Sequence, residues 1–224
     1  MDKFQPRVII AYEYLHDKIV SGEFKMNTIY SSTKIAQEIG ISRTPVRDAL
    51  HRLSQDGYIE ILPSMGFRIR TLSTSDIIEI IQIRCAIESY CAVTLSRDTK
   101  NNSVSTSNMV DKLFSYIHQM ENISLVNSNI KQFIKLDNQF HTGIVSYVKN
   151  PLFDDIYKKY LFQMERFLFE VMNKPMRMQD TLKEHRTIYH KIVDGNILGI
   201  YEAIHLHLQN AATLLLQDIS TDKS

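Results

Sequence analysis

The sequence predicts a mainly α-helical protein in two parts: three helices plus a β-hairpin, then an all-α antiparallel helical bundle. Three observations carry that expectation. Apolar residues recur at the 3.6-residue helical period along almost the whole chain. Strand-like runs are confined to 58–62 and 67–71, on either side of a turn-forming stretch. Beyond residue 72, helical patterns succeed one another with turn signals between them and no credible strand. A chain of 224 residues suits two separate cores, placed here at 1–72 and 73–224.

Composition narrows the classes. A chain with 44% hydrophobic and 23% charged residues is an ordinary globular one, neither disordered nor fibrous. A net charge of +1 argues against coating nucleic acid through bulk charge, although residues 1–72 hold ten Lys/Arg against eight Asp/Glu. The start, Met-Asp-Lys-Phe-Gln, has no apolar signal core, and no apolar run reaches the roughly 18 residues of a membrane span, so a cytoplasmic protein is expected. Cys85 and Cys91 diverge on one helix and read as reduced packing residues.

From Pro6 to Val20, the residues Val8, Ala11, Tyr12, Leu15 and Ile19 make one helical stripe, and Gly22 stands at its C-terminal stop. Ser31 or Ser32 can cap a short second helix carrying Ile35, Ala36 and Ile39, which Gly40 ends. Ile41 fills a corner and Ser42 is the N-cap of a third helix with Val46, Ala49, Leu50 and Leu53 buried. Pro45 is harmless in its first turn, where backbone N–H groups have no intrahelical acceptor. Arg43 and Arg47 lie one turn apart on the opposite face, beside a helix N-terminus that itself attracts phosphate oxygens. Tyr58 to Leu62 and Phe67 to Thr71 then form a hairpin around Pro63, Ser64, Met65 and Gly66, a candidate wing. Together these elements read as a winged helix-turn-helix for double-stranded operator DNA.

The stretch from Ile41 through Arg43-Thr-Pro-Val-Arg47 to Gly57-Tyr58 closely resembles the recognition-helix signature of the GntR family. The resemblance implies that Arg43, Thr44 and Arg47, preceded by Ser42, contact DNA, with Arg52 a weaker candidate, and that Gly66 lets the wing approach the minor groove. The sequence departs from the family with Met26-Asn27 where Pro-Gly is usual and with Ser32 where a Glu commonly caps the second helix.

In the second part, Ser73 or Ser75 can cap a helix whose residues Ile77, Ile80, Ile81, Ile83, Ile87 and Leu95 leave little of its circumference polar. Arg84 and Glu88 lie on one apolar row of it and read as an internal salt bridge. The Ser- and Asn-rich run Asn101 to Asn108 reads as a loop, and further helices are expected near 109–121, 130–148, 152–172, 178–193 and 197–216. Asn150-Pro151 and Asp194-Gly195 supply turns between neighbours.

Asp137 and His141, at i and i+4, sit in the apolar row Phe133, Phe140, Ile144, Val148. His185 shares a face with Leu182, Ile188 and Ile192, and His207 with Ile200, Ile204, Ala211 and Leu214. Three imidazoles and a carboxylate suit a divalent transition metal, zinc first and nickel, manganese or iron as alternatives. Each histidine alone reads first as a hydrogen-bonded core residue, a reading that the four together weaken. His16, His51, His118, His190 and His205 have no comparable partners.

The pattern Asp137-Asn-Gln-Phe-His141, Asn150-Pro-Leu, Glu184-His185 and His207-Leu208 resembles the FCD ligand-binding domain of the FadR-like branch of GntR regulators. That resemblance implies that Asp137, His141, His185 and His207 hold a metal and that Arg84 meets the carboxylate of a small effector. It also implies a homodimeric repressor whose operator affinity the effector modulates, and no enzyme. Two rivals use the same residues: a regulator that senses the metal itself, and a metal-dependent hydrolase with an activated water.

Overall fold

The computed structural model describes residues 6–99, 104–126 and 129–221. The order is α1 (Arg7–Val20), α2 (Ser32–Glu38), α3 (Arg43–Gln55), β1 (Ile59–Leu62), β2 (Gly66–Ile69), α4 (Thr74–Thr99), α5 (Val104–Val126), α6 (Ile130–Tyr147), α7 (Pro151–Met172), α8 (Arg177–Val193) and α9 (Ile197–Thr221). The chain divides into two compact units, Met1–Leu72 with Phe162–Arg166, and Ser73–Leu161 with Phe167–Ser224. No helix among the described residues is long and apolar enough to cross a membrane. Both cysteines are free and buried.

In the first unit, α1 buries Ala11, Leu15, Ile19 and Val20, and α3 buries Val46, Ala49, Leu50 and Leu53. Ile35 and Ala36 of α2 and Tyr58, Ile59, Phe67 and Ile69 complete that core. Each of the larger side chains contributes about 1.5–3 kcal/mol by leaving water. The α2–α3 corner is a Schellman turn: Gly40 takes φ +67°, and the Ile41 N–H donates to the Ala36 carbonyl at 3.1 Å. Ser31 and Ser42 hold the N-cap positions of α2 and α3 with extended backbone, but neither side chain makes the expected cap bond. At an exposed helix start, water can satisfy those N–H groups instead.

The hairpin pairs Ile59 with Ile69, Glu60 with Arg68, Ile61 with Phe67 and Leu62 with Gly66. Arg68 Nε donates to Glu60 across the strands at 2.8 Å. A feature not legible in the sequence extends this sheet. Tyr30 forms an antiparallel bridge to Phe67, donating to its carbonyl at 2.8 Å and accepting from its N–H at 3.0 Å. That bridge explains Gly66, whose φ is +131° and where a Cβ would lie 2.1 Å from the Tyr30 carbonyl oxygen. Asn27 adopts φ +58°, a left-handed conformation that Asn tolerates better than most residues.

In the second unit, α4 packs against α9, α6, α8 and α5, while α8 also packs against α5 and α9. That central place matches the near-continuous apolar circumference of α4. Ser73 and Asp76 close a reciprocal box at its start: Ser73 N donates to Asp76 Oδ2 at 2.8 Å, and Asp76 N donates to Ser73 Oγ at 3.1 Å. Asn129 and Asn150 cap α6 and α7 by accepting from Gln132 N and Leu152 N.

The loop expected over 101–108 is corrected, because α5 already begins at Val104; residues 101–103 lie outside the described residues. Tertiary packing overrides the weak helix preference of Ser and Asn here. Thr106 is buried and its hydroxyl bonds Tyr147 Oη at 2.9 Å, which donates to Asp98 at 2.8 Å. Helices α5 and α9 also run five residues past their expected ends.

Candidate functional site

Four side chains from three helices meet inside the second unit. Helix α6 supplies Asp137 and His141, one turn apart on the face that also buries Phe133, Phe140 and Ile144. Helix α8 supplies His185, flanked by Leu182 and Ile188, and α9 supplies His207, between Ile204 and Leu208. All four are buried, and one ligand atom from each lies within 4.8 Å of the others. The Nε2 atom of His141 is 3.1 Å from Nε2 of His185 and 3.0 Å from Nε2 of His207. Asp137 Oδ1 is 3.3 Å from His185 Nε2 and 4.0 Å from His141 Nε2, yet it has no hydrogen-bond partner.

Two carboxylates not foreseen as partners fix the ring states. His141 Nδ1 is 2.7 Å from Glu88 Oε2, and His207 Nδ1 is 2.7 Å from Glu184 Oε2. A carboxylate accepts, so each Nδ1 donates, and a neutral ring in that tautomer turns its Nε2 lone pair inward. His185 lacks such a carboxylate, and its ring stacks on Phe140 with centroids 4.4 Å apart. Burial, with the neighbouring His207 and His141, pushes the His185 pKa well below the ordinary imidazole value. Burial lowers that of His207 as well, against the opposing pull of Glu184.

The cluster thus gathers three imidazole Nε2 atoms around one orphaned carboxylate oxygen, with His185 Nδ1 also buried and unpartnered. Three buried imidazole nitrogens about 3 Å apart beside an orphaned carboxylate oxygen make a donor set of the kind that holds a divalent metal.

The supporting network reaches Arg84. Its Nε donates to Glu88 Oε1 at 2.8 Å and a terminal nitrogen donates to Tyr157 Oη at 3.2 Å; Tyr157 in turn donates to Glu88 Oε1 at 2.9 Å. Burial would raise the Glu88 pKa, but Arg84 and then His141 hold it well below the usual carboxylate range. Glu184 is likewise held at about 2, where burial is outweighed by its bonds to His207 and Arg177. The expected Arg84–Glu88 bridge is therefore present and is one part of a longer chain ending at His141.

On the first unit, Ser42, Arg43, Thr44, Arg47 and Arg52 are all exposed. A groove of about 550 Å³ separates α3 from the wing; Arg43, Arg47 and Gly66 line it with Ser31, Ser32, Thr33 and His51, none of which the sequence had assigned to a DNA-facing role. Arg52 lies elsewhere, in a hollow with Tyr12, Glu13 and Asp56.

The profile of the FCD domain matches residues 79–210, and that of bacterial regulatory proteins of the gntR family matches residues 10–69. The HTH-type transcriptional regulator YdhC of Bacillus subtilis is 27% identical over 198 residues, 88% of this chain and 85% of its own. The gluconate operon transcriptional repressor of Bacillus subtilis is 29% identical over 200 residues, 89% of this chain and 76% of its own. The solved structure of E. coli McbR/YncC superposes with a TM-score of 0.76 at 16% identity, covering 96% of this chain and all of that one, a likeness of fold.

Proposed function

The chain belongs to the GntR family of bacterial transcriptional regulators and carries its FCD domain, and from that premise we propose a metal-containing, effector-controlled repressor. Residues 1–72 read operator DNA in the cytoplasm, and residues 73–224 bind the effector and pair two copies of the chain. Arg43, Thr44 and Arg47, behind Ser42, meet the DNA along α3, while Gly66 brings the wing close; Arg52 contributes less from its separate position. In a homodimer the two recognition helices read half-sites about one DNA turn, roughly 34 Å, apart.

Asp137, His141, His185 and His207 hold a divalent transition metal, zinc before nickel, manganese or iron. The metal supplies a Lewis-acidic docking point for a small organic carboxylate. Arg84 meets the same carboxylate with guanidinium N–H groups that its bonds to Glu88 and Tyr157 leave over. Glu88 and Glu184 keep the His141 and His207 rings turned inward. The relatives named as a gluconate operon repressor and an HTH-type regulator support a repressor rather than an enzyme.

The observation that carries this reading is the approach of His141 Nε2 and His207 Nε2 to 3.0 Å, with the Nδ1 of each ring on a carboxylate. Elemental analysis with native mass spectrometry, on protein purified without chelator or histidine tag, tests it. About one divalent ion per chain is expected in the wild type and none in His185→Ala. Metal-free wild type after growth and dialysis in replete metal would make the four residues a polar core.

A further inference from the structure

A cleft of about 520 Å³ opens between the start of α8 and α9, on the outer side of Glu184. Lys174, Arg177 and Lys183 line it against Asp180 and Glu184, with Asn210, Thr213, Leu214 and Pro175 completing the wall. Both carboxylates are already engaged. Glu184 Oε1 accepts from Arg177 Nη1 at 2.9 Å and Asn210 Nδ2 at 2.8 Å; its Oε2 accepts from Arg177 Nη2 at 2.9 Å and lies 2.7 Å from His207 Nδ1. Asp180 accepts from Lys183 Nζ at 3.0 Å.

Arg177 is different. It is only 5% exposed, and its Nε–H is buried with no hydrogen-bond partner. Leaving such a donor unmade is costly. Glu184 grips the guanidinium through its two terminal nitrogens and leaves Nε without a partner. Lys174 Nζ is fixed on the same wall by the Leu214 carbonyl at 3.2 Å, and the Lys183 side chain is 71% exposed at the rim.

We propose that this cleft is a second ligand site, distinct from the metal centre, which takes a small organic anion on Arg177 between Lys174 and Lys183. Its volume falls in the range of small-molecule pockets, and Pro175 and Leu214 offer an apolar side to the carbon skeleton. The site itself does not depend on a metal. Because Arg177 and His207 share Glu184, an anion that draws Arg177 away also alters the partner of His207; that coupling alone rests on the metal reading.

Calorimetric titration with succinate, and separately with inorganic phosphate, tests the site on metal-loaded and chelator-stripped wild-type protein. Saturable binding to both preparations is expected for at least one probe, and succinate over phosphate identifies a carboxylate ligand. Lys183→Glu, at an exposed position that leaves the fold intact, weakens it about fivefold to tenfold. Arg177→Met abolishes it; if that variant fails to fold, Lys174→Met replaces it and weakens binding several-fold. Three outcomes overturn the proposal: no saturation by either probe at tens of millimolar, binding that Lys183→Glu leaves unchanged, or binding confined to the metal-loaded protein. The last places the anion on the metal and leaves the metal reading standing.

Discussion

The difference between a ligand and the group that aims it decides how the metal cluster behaves under mutation. Glu88 and Glu184 touch no inward nitrogen, yet each holds the Nδ1 proton of one imidazole. Glu88→Gln and Glu184→Gln keep the shape but remove the charge that favours the inward lone pair. Metal affinity should fall about 10–100-fold in each without loss of helix content, as read by competition with a fluorescent chelator. Equal affinity for wild type and both variants would reduce the two carboxylates to ordinary core ion pairs. The same scale governs DNA reading. Arg47 is exposed on α3 and contributes nothing to the core, so Arg47→Ala should cost about 1–3 kcal/mol of operator affinity with an unchanged melting temperature. Unaltered operator binding would remove Arg47 from the interface. The four candidate ligands were legible because helical periodicity places polar groups on rows that are otherwise apolar. Their supporting carboxylates were not, since Glu88 faces His141 only once α4 lies against α6, and no spacing within either helix encodes that meeting.

Elements explain what single residues leave open, and the wing is the clearest case. Gly66 suggested a close approach to DNA, but within the fold its lack of a Cβ is demanded by the Tyr30 bridge. Gly66→Ala should therefore destabilise the first unit by about 1–3 kcal/mol and weaken operator binding even for operators lacking a minor-groove preference. Asn27→Gly, which keeps the positive φ accessible, should stay within about 0.5 kcal/mol of wild type. Denaturant titration of both variants separates the two cases, and a stable Gly66→Ala would return the glycine's role to DNA alone. Periodicity located the helices of both units within a residue or two wherever a buried stripe ran to the helix end, as in α3, α6 and α8. It failed at the start of α5, where the sequence is locally loop-like and Thr106 is held by the hydroxyl of Tyr147 at the far end of the neighbouring helix α6. It also missed the Tyr30 bridge, a contact one residue long that leaves no alternation to detect.

At the scale of the molecule, the four candidate ligands tie α6, α8 and α9 at one point, and Glu88 extends the tie to the central α4. An ion held there would bind the folded bundle in preference to the unfolded chain and stabilise it by up to about 2.7 kcal/mol at a free concentration a hundred times its Kd. For a unit of this size that corresponds to roughly 5–10 °C in melting temperature. Without an ion, three imidazole Nε2 atoms and the Asp137 carboxylate converge with no cation among them. Treating the protein with chelator should therefore lower the transition of the second unit by that amount, while a probe of the first unit such as Tyr58 shifts little. Restoring zinc should recover the loss in wild type and fail to do so in His185→Ala. The same reasoning bounds regulation: an effector on the metal can bias the bundle only by its difference in affinity between two arrangements. Superimposable melting curves with and without chelator, at full metal occupancy beforehand, would mean that the ion does not tie the helices and that effector control must run through contacts other than these four residues.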